Sequence, residues 1–470
     1  MKSFIEFVKK YKIPFIFLFL IMFVIYAYYI QNIVSIDTEH YINDPKGLLQ
    51  GWISLDRWGL VLIKNVVIGL PFHIVLVRIL TVLLFLAATL LYTYLFTKWS
   101  RIENQWILFL TSLAIATSPI FAEQFGFTLQ SAEIALGLLL LAIDFIFIEK
   151  YLTKHKQSNF FTSILLTTFC FGLYQSFVLL FISVCIFYIL THDHKNIGKF
   201  LLIFFISFGL NSIIIYILKN YIYQVNTSYL TNNFKWKTDG ILKCILRIGY
   251  FGVTTLLGRA YYHSIVFTFF VIIGVIYLLK SKKLKQLFFF GSLAISPFLL
   301  IIATASNTAY RAQFSYVFVL VFLFLYLYQM MNQKKMLSIL LIIFIAKSIL
   351  ITPALFYSDS IRYQNDLKLA NDVKEIMKEN PNQSIIFVGI YNSSTKFKGE
   401  TLGNSFATWD YETEMGVNTR MFGFLNAHDI YPQFPTKEQY IEAMSNENHG
   451  YYPDQDGIIY RDDAIVIYLR

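Results

Sequence analysis

Apolar runs of roughly bilayer length recur along this chain, and they restrict its fold more than any other feature. A helix crossing a bilayer needs about 17–25 predominantly apolar residues. Such runs occupy 13–31, 73–97, 105–120, 129–148, 198–218, 262–279, 287–304, 314–331 and 336–355. Residues 160–190 are apolar for too long to form one comfortable helix. The stretch GLYQS at 172–176 sits in their middle, so two short helices joined by a tight turn are expected there. The expectation is therefore about eleven spans. Only 14% of residues are charged, against about 25% in a soluble domain. The amino-terminal run follows Lys2, Lys9, Lys10 and Lys12. It is too long for a signal-peptide core and lacks a small-residue cleavage site, so it reads as a retained anchor.

Charge sets the orientation. The net charge of +10 is uneven: residues 1–355 hold 29 Lys and Arg against 12 Asp and Glu, whereas residues 356–470 hold 10 against 17. Basic clusters at the amino terminus, 98–101, 149–156, 192–199, 280–285 and 332–335 all fall on one side of the expected spans. The positive-inside rule makes that side cytoplasmic. The segments 32–72, 121–125, 219–261 and 307–313 then face outward, as does everything after 355. A basic excess placed between spans also removes the argument for nucleic-acid binding. Cys170, Cys185 and Cys244 have no metal or redox spacing and read as buried thiols.

Two further regions stand out. ILKCILRIGYFGVTTLLG (241–258) mixes Lys243 and Arg247 with apolar residues at helical spacing, as an amphipathic helix at the outer interface does. The stretch 59–72 is a second candidate of that kind. Beyond Pro353 the composition changes abruptly. LKLANDVKEIMKEN (367–380) reads as a helix stopped by Pro381, SIIFVGI (384–390) and AIVIYL (464–469) as buried strands, and TKEQYIEAMSNE (436–447) as a helix capped by Thr436. The expected organisation is a transmembrane domain, 1–355, and a small α/β domain, 356–470.

The chemistry concentrates just after the first span, in SIDTEHYINDPKGLLQGWISLDRWG (35–59). Asp37 and Glu39 fit three readings: solvated loop charges, ligands to a divalent cation, or a general base at the membrane surface. In the third, an acceptor hydroxyl attacks a sugar carried on a lipid phosphate, and the carboxylate takes the hydroxyl's proton. The displaced lipid phosphate then needs fixed cations, and a guanidinium offers a bidentate fork to it. Arg57, Lys64 and Arg311 lie in outward segments, with Lys243 and Arg259 as weaker versions of the same idea. His40 is a plausible acid or base, though a surface hydrogen-bonding role is the simpler reading. Glu123, Gln124 and Gln175 are candidates for bonding sugar hydroxyls, with a hydrated loop as the plainer account of Glu123 and Gln124. Glu133, Asp144 and Arg78 lie within spans, where charge is costly unless paired or hydrated. Arg78, near the outer end of its helix, is explained by snorkelling alone.

The segment 35–64 resembles the opening of the bacterial Gtr-type glucosyltransferases, the serotype-converting enzymes that decorate surface polymers. The shared features are DTE at 37–39, the pair Asp44–Pro45, Trp52, Arg57 and the tail GLVLIK. LYQS (173–176), AYRAQF (309–314) and the closing α/β domain are similar too. The resemblance implies a GT-C-like architecture, in which the acidic catalytic residue sits in the first outer loop, at Asp37 or Glu39 here. It implies a polyprenyl-phosphate hexose, with glucose the expected sugar, as donor on the outer face. A cell-surface polysaccharide, teichoic acid or glycolipid is the acceptor, and a donor synthase and a flippase are the implied partners. No cofactor and no metal site is expected.

The fold expected is thus a polytopic α-helical membrane protein with a small extracytoplasmic α/β domain at its carboxyl end, in the cell membrane. Rival readings are a surface-polymer ligase or polymerase on the same plan, a lipid-linked-sugar transporter or flippase, and a non-catalytic assembly protein. Transporters favour internal repeats and helices broken at mid-membrane, and neither is evident. Nothing resembles a nucleotide-binding loop.

Overall fold

The computed structural model describes residues 2–67, 72–192, 194–225, 234–259, 261–381, 383–391 and 405–470. The chain is mostly helical, with one small sheet. It forms two compact units. The first holds 1–30, 49–125 and 130–353, and the second holds 31–48, 126–129 and 354–470. The second unit thus takes in the segment after the first apolar run as well as the carboxyl-terminal residues.

The first unit is a membrane protein's helical bundle. Among the described residues seven helices are long and apolar enough to cross a bilayer: Ile74–Trp99, Gln105–Gly126, Thr128–Lys154, Ile197–Ile222, Leu284–Thr304, Tyr310–Met330 and Lys334–Glu379. Lys12–Ile25, Ser176–Thr191 and Ile265–Lys280 are apolar but shorter. At a rise of 1.5 Å per residue a 14-residue helix such as Lys12–Ile25 is about 21 Å long, short of a hydrocarbon core of about 30 Å. The expected count of eleven full spans therefore does not emerge from helix length. The expected turn inside 160–190 is present, with helices Gln157–Leu173 and Ser176–Thr191 meeting at Tyr174 and Gln175.

Helix Ser315–Met330 is almost wholly buried and lies at the centre of this unit. Phe322 stacks on Phe187 at 4.4 Å and meets Phe96 edge-on at 4.5 Å. Aromatic packing of this kind suits a core from which water is already excluded, because association there rests on close contact more than on the hydrophobic effect. Ile197–Ile217 lies at the periphery and exposes much of its apolar surface. The amphipathic stretch forms helix Ile241–Leu256 as expected. The second candidate of that kind is helical over Trp58–Val67, and its end at 68–71 lies outside the described residues.

Two local readings are corrected. FAEQF (121–125), expected as an outer loop, is part of helix Pro119–Gly126, and Glu123 and Gln124 are fully buried. Residues 367–380 do not form a separate helix: one helix runs Lys334–Glu379 with Pro353 inside it. A proline removes one backbone donor, but membrane helices tolerate it where neighbouring groups satisfy the freed carbonyl.

The second unit is built on a three-stranded sheet. Strand β1 (Ser384–Val388) runs parallel to β3 (Ala464–Tyr468), and β2 (Ile458–Tyr460) pairs antiparallel with β3. Central β3 is buried throughout, which is why its sequence is a continuous apolar run instead of an alternating one. Helix Lys437–Met444 packs Tyr440 and Ala443 against Ile386, Val466 and Tyr468. Thr436 caps it as expected, in a reciprocal box with Gln439. Helix Asn418–Asn426 is fastened to β1 by Asn418, whose side chain accepts from the Phe387 amide and donates to the Phe387 carbonyl, both at 2.8 Å. Within this unit the short helix Thr38–Asn43 lies against Asn418–Asn426. Gly423 permits the approach, since a Cβ there would fall 2.9 Å from Glu39 Cγ.

Candidate functional site

Asp37 opens helix Thr38–Asn43 but does not cap it with its side chain, and its backbone is left-handed, at φ 72° and ψ −21°. An aspartate in that position ordinarily accepts from the first-turn amides. Here the carboxylate turns to Arg420 instead. Arg420 Nη1 donates to Glu39 Oε1 at 2.7 Å and to Asp37 Oδ1 at 3.3 Å, and its Nε donates to Asp410 Oδ2 at 2.7 Å. The cation that bridges the DxE pair is therefore a guanidinium. The two carboxyls differ in access: the Glu39 side chain is 2% exposed and that of Asp37 27%. Among the described residues Glu39 Oε2 is buried without a hydrogen-bond partner. Asn43 secures the helix by donating to the Glu39 and Gly423 carbonyls at 2.7 and 3.0 Å. His40 turns toward Asp44, at 3.8 Å.

Electrostatics follow from burial. The Glu39 carboxyl is pushed up to about 7 by desolvation, with the Arg420 charge opposing the rise and the Asp37 charge adding to it. Burial alone would lower Arg420, but Glu39, Asp37 and Asp410 together hold it above its ordinary range. A carboxyl raised on folding contributes stability below its unfolded value and loses that contribution as pH climbs through the folded value. Between about pH 4.5 and about pH 7 the Glu39 contribution falls by on the order of 3 kcal/mol. The melting temperature of the wild type should therefore drop, relative to Glu39→Gln, as pH rises across that window. Parallel melting-temperature curves for the two proteins would refute the coupling.

The first unit gathers a second set of charges. Arg311, in the turn Tyr310–Gln313, donates to Glu123 Oε1 at 3.2 Å. Tyr262 and Tyr310 stack at 4.5 Å. Among the described residues Glu123 Oε2, both polar side-chain atoms of Gln124 and the Tyr262 hydroxyl are buried without hydrogen-bond partners. Arg57 Nη1 donates to Gln130 Oε1 at 3.2 Å, and its guanidinium lies 4.6 Å from the Tyr174 ring centre. Tyr174 in turn stacks near Phe314, at 6.3 Å. Gln175 donates to the Leu55 carbonyl.

Several other charges in this unit have partners. Lys64 meets Glu133 at 2.5 Å and Lys219 meets Asp56 at 2.5 Å. Lys219 sits in a single π-helical turn, Leu218–Ile222, an irregularity that frequently marks functional positions. Asp144 Oδ2 accepts from Thr167 at 2.5 Å. Arg78 does not snorkel: it is buried and donates to the Tyr29 carbonyl at 2.7 Å. Lys243 is mostly exposed and pairs loosely with Asp239, at 3.8 Å; among the described residues no hydrogen bond or ion pair joins it to Arg311 or Glu123.

The structure thus joins Asp37 with Glu39, and Glu123 with Arg311. Arg420 escaped the sequence reading entirely. It lies 381 residues from Glu39, in NTRMFGFLN, which shows nothing beyond an ordinary helix. The available signal was indirect: an acidic pair calls for a cation, and in the structure Arg57 and Lys64 of the same segment turn to Gln130 and Glu133 instead.

A family model described as glucosyl transferase GtrII matches residues 26–328. No curated protein and no solved structure matches the chain.

Proposed function

The chain belongs to the glucosyl transferase GtrII family, and from that premise we propose that it moves a hexose, glucose by family, from a polyprenyl-phosphate donor to a cell-surface glycan on the outer face of the membrane. The observation that carries this reading is the carboxylate pair Asp37–Glu39, inside the matched region, held by Arg420. Asp37 is the base. It is the more accessible of the two, and its strained backbone is a feature that collects at functional sites. It takes the proton of the acceptor hydroxyl, whose oxygen attacks the anomeric carbon. The bond from that carbon to the phosphate oxygen breaks, and the lipid phosphate leaves with the electron pair. One displacement inverts the anomeric centre.

Developing charge on the leaving phosphate calls for fixed cations. In the first unit Arg311 and Arg57 are assigned that role, with Lys243 as an interfacial contributor. Glu123, Gln124 and Gln175 are assigned to the sugar hydroxyls, and His40 to the acceptor. The basic clusters between spans support a cytoplasmic amino terminus and an outward carboxyl-terminal unit. The scheme invokes no organic cofactor.

The test is transfer by the full-length protein in proteoliposomes, with polyprenyl-phosphate glucose and a nucleotide-activated glucose supplied separately. Labelled glucose should reach a surface-glycan acceptor from the lipid donor alone. Transfer from the nucleotide sugar, or movement of the intact lipid-linked sugar across the bilayer without transfer, would replace this reading with a cytosolic-donor enzyme or a flippase.

A further inference from the structure

We propose that Arg420 is a positioning residue for the transfer reaction, setting the orientation and charge of the Asp37–Glu39 pair from the carboxyl-terminal region; this rests on the assignment of Asp37 as the base. The contacts run in sequence within one unit. Asp410 fixes the Nε edge of the guanidinium, and the Nη1 end holds Glu39 and Asp37. The helix that carries Arg420 is itself pinned, by Asn418 to strand β1 and by the Asn43 contact to Gly423.

Burial separates the carboxylates around the guanidinium. One guanidinium faces three carboxylates, of Asp37, Glu39 and Asp410. Asp37 and Asp410 keep contact with solvent, at 27% and 41% of their side chains, so of the three only the buried Glu39 depends on the guanidinium in a desolvated place. Glu39, buried with Oε2 unpartnered among the described residues, anchors the Nη1 end of the guanidinium, and the accessible carboxylate of Asp37, the assigned base, accepts from the same Nη1. Arg420 also lies beyond the matched residues 26–328. The carboxyl-terminal residues thereby complete a site whose acidic half comes from the family's own segment. Of the other titratable groups on helix Thr38–Asn43 and its end, His40, Tyr41 and Asp44, the first and last pair with each other.

The experiment compares wild type, Arg420→Gln, Arg420→Lys and Arg420→Gln/Glu39→Gln, each full length in proteoliposomes, for kcat, donor KM and the pH–rate profile. A misplacement of reacting groups by about 1 Å costs about 10²-fold in rate, so Arg420→Gln should lose about that much kcat with little change in KM. Its acid limb should move to higher pH, because the charge that favours the ionised pair is gone. Arg420→Lys should keep the limb near its native position but recover only part of kcat, having lost the fork. The double variant should regain part of what Arg420→Gln loses, since one buried carboxylate no longer needs a partner.

A folded Arg420→Gln with native kcat and a native acid limb would overturn the proposal. Where Arg420→Gln fails to fold, a wild-type kcat in Arg420→Lys overturns it equally. A wild type that transfers nothing from the lipid donor instead defeats the underlying assignment, so the two failures are distinguishable.

Discussion

Asp37→Asn should transfer hexose about 10²–10⁴-fold more slowly than the wild type, the range expected when a general base is lost. The substitution keeps the size of the side chain and one acceptor for Arg420, so the helix Thr38–Asn43 and its packing on Asn418–Asn426 should survive. The loss should fall on kcat, because the proton is taken only as the acceptor oxygen attacks. Glu39→Gln is the informative companion. Glu39 is buried and tied to Arg420, so its replacement should slow transfer less than Asp37→Asn does. Rates for both variants, with membrane insertion checked by proteolysis, decide the matter. If both variants turn over normally, the acidic segment is a structural connector and the assigned base is wrong; if Glu39→Gln is the more damaged, the roles of the two carboxyls are exchanged.

Arg311 carries the second large effect. Removing one charge-assisted contact to a leaving phosphate should cost about 3–4 kcal/mol in the transition state. The single variant Arg311→Ala is a poor instrument, however. It leaves the fully buried Glu123 carboxylate without its cation, and breaking a buried pair from one side destabilises by about 3–5 kcal/mol. The double variant Arg311→Met/Glu123→Gln removes both charges at similar volume and should fold. Its transfer should still fall by about 10²–10³-fold, while Arg311→Lys recovers only part of the native rate. A well-folded double variant with wild-type turnover would leave Arg311 and Glu123 as a structural pair. Donor binding, measured in parallel, shows whether the loss lies in holding the phosphate or in stabilising its departure.

Both effects depend on residues that stand out in the sequence, but the reasons for trusting them differ. Asp37 and Glu39 attract notice because acids immediately after an apolar run are unusual, and that judgement needs only a short window of sequence. Glu123 is harder to place. Its segment, FAEQF, looks like the polar end of a span, yet it continues as a helix and is fully buried. Hydropathy averages over about a bilayer's thickness and does not register that one carboxylate is cancelled by an arginine from another helix.

Local chemistry determined much of this protein without help from its tertiary structure. Apolar runs marked the membrane helices because each must satisfy its backbone internally whatever its neighbours are. The turn at Tyr174 and Gln175 and the cap at Thr436 were legible for a similar reason: a turn or a cap is settled by residues a few positions apart. The strands 384–388 and 464–468 were legible as buried apolar runs. Tertiary structure decided which charges meet. Lys64 finds Glu133, Lys219 finds Asp56, and Arg420 finds Asp37 and Glu39. It also carried a helix through Pro353, where the composition suggested a break. An ion pair between residues hundreds of positions apart has no local signature, because its energy depends on separation and desolvation in space, and both are set by the packing of the whole unit.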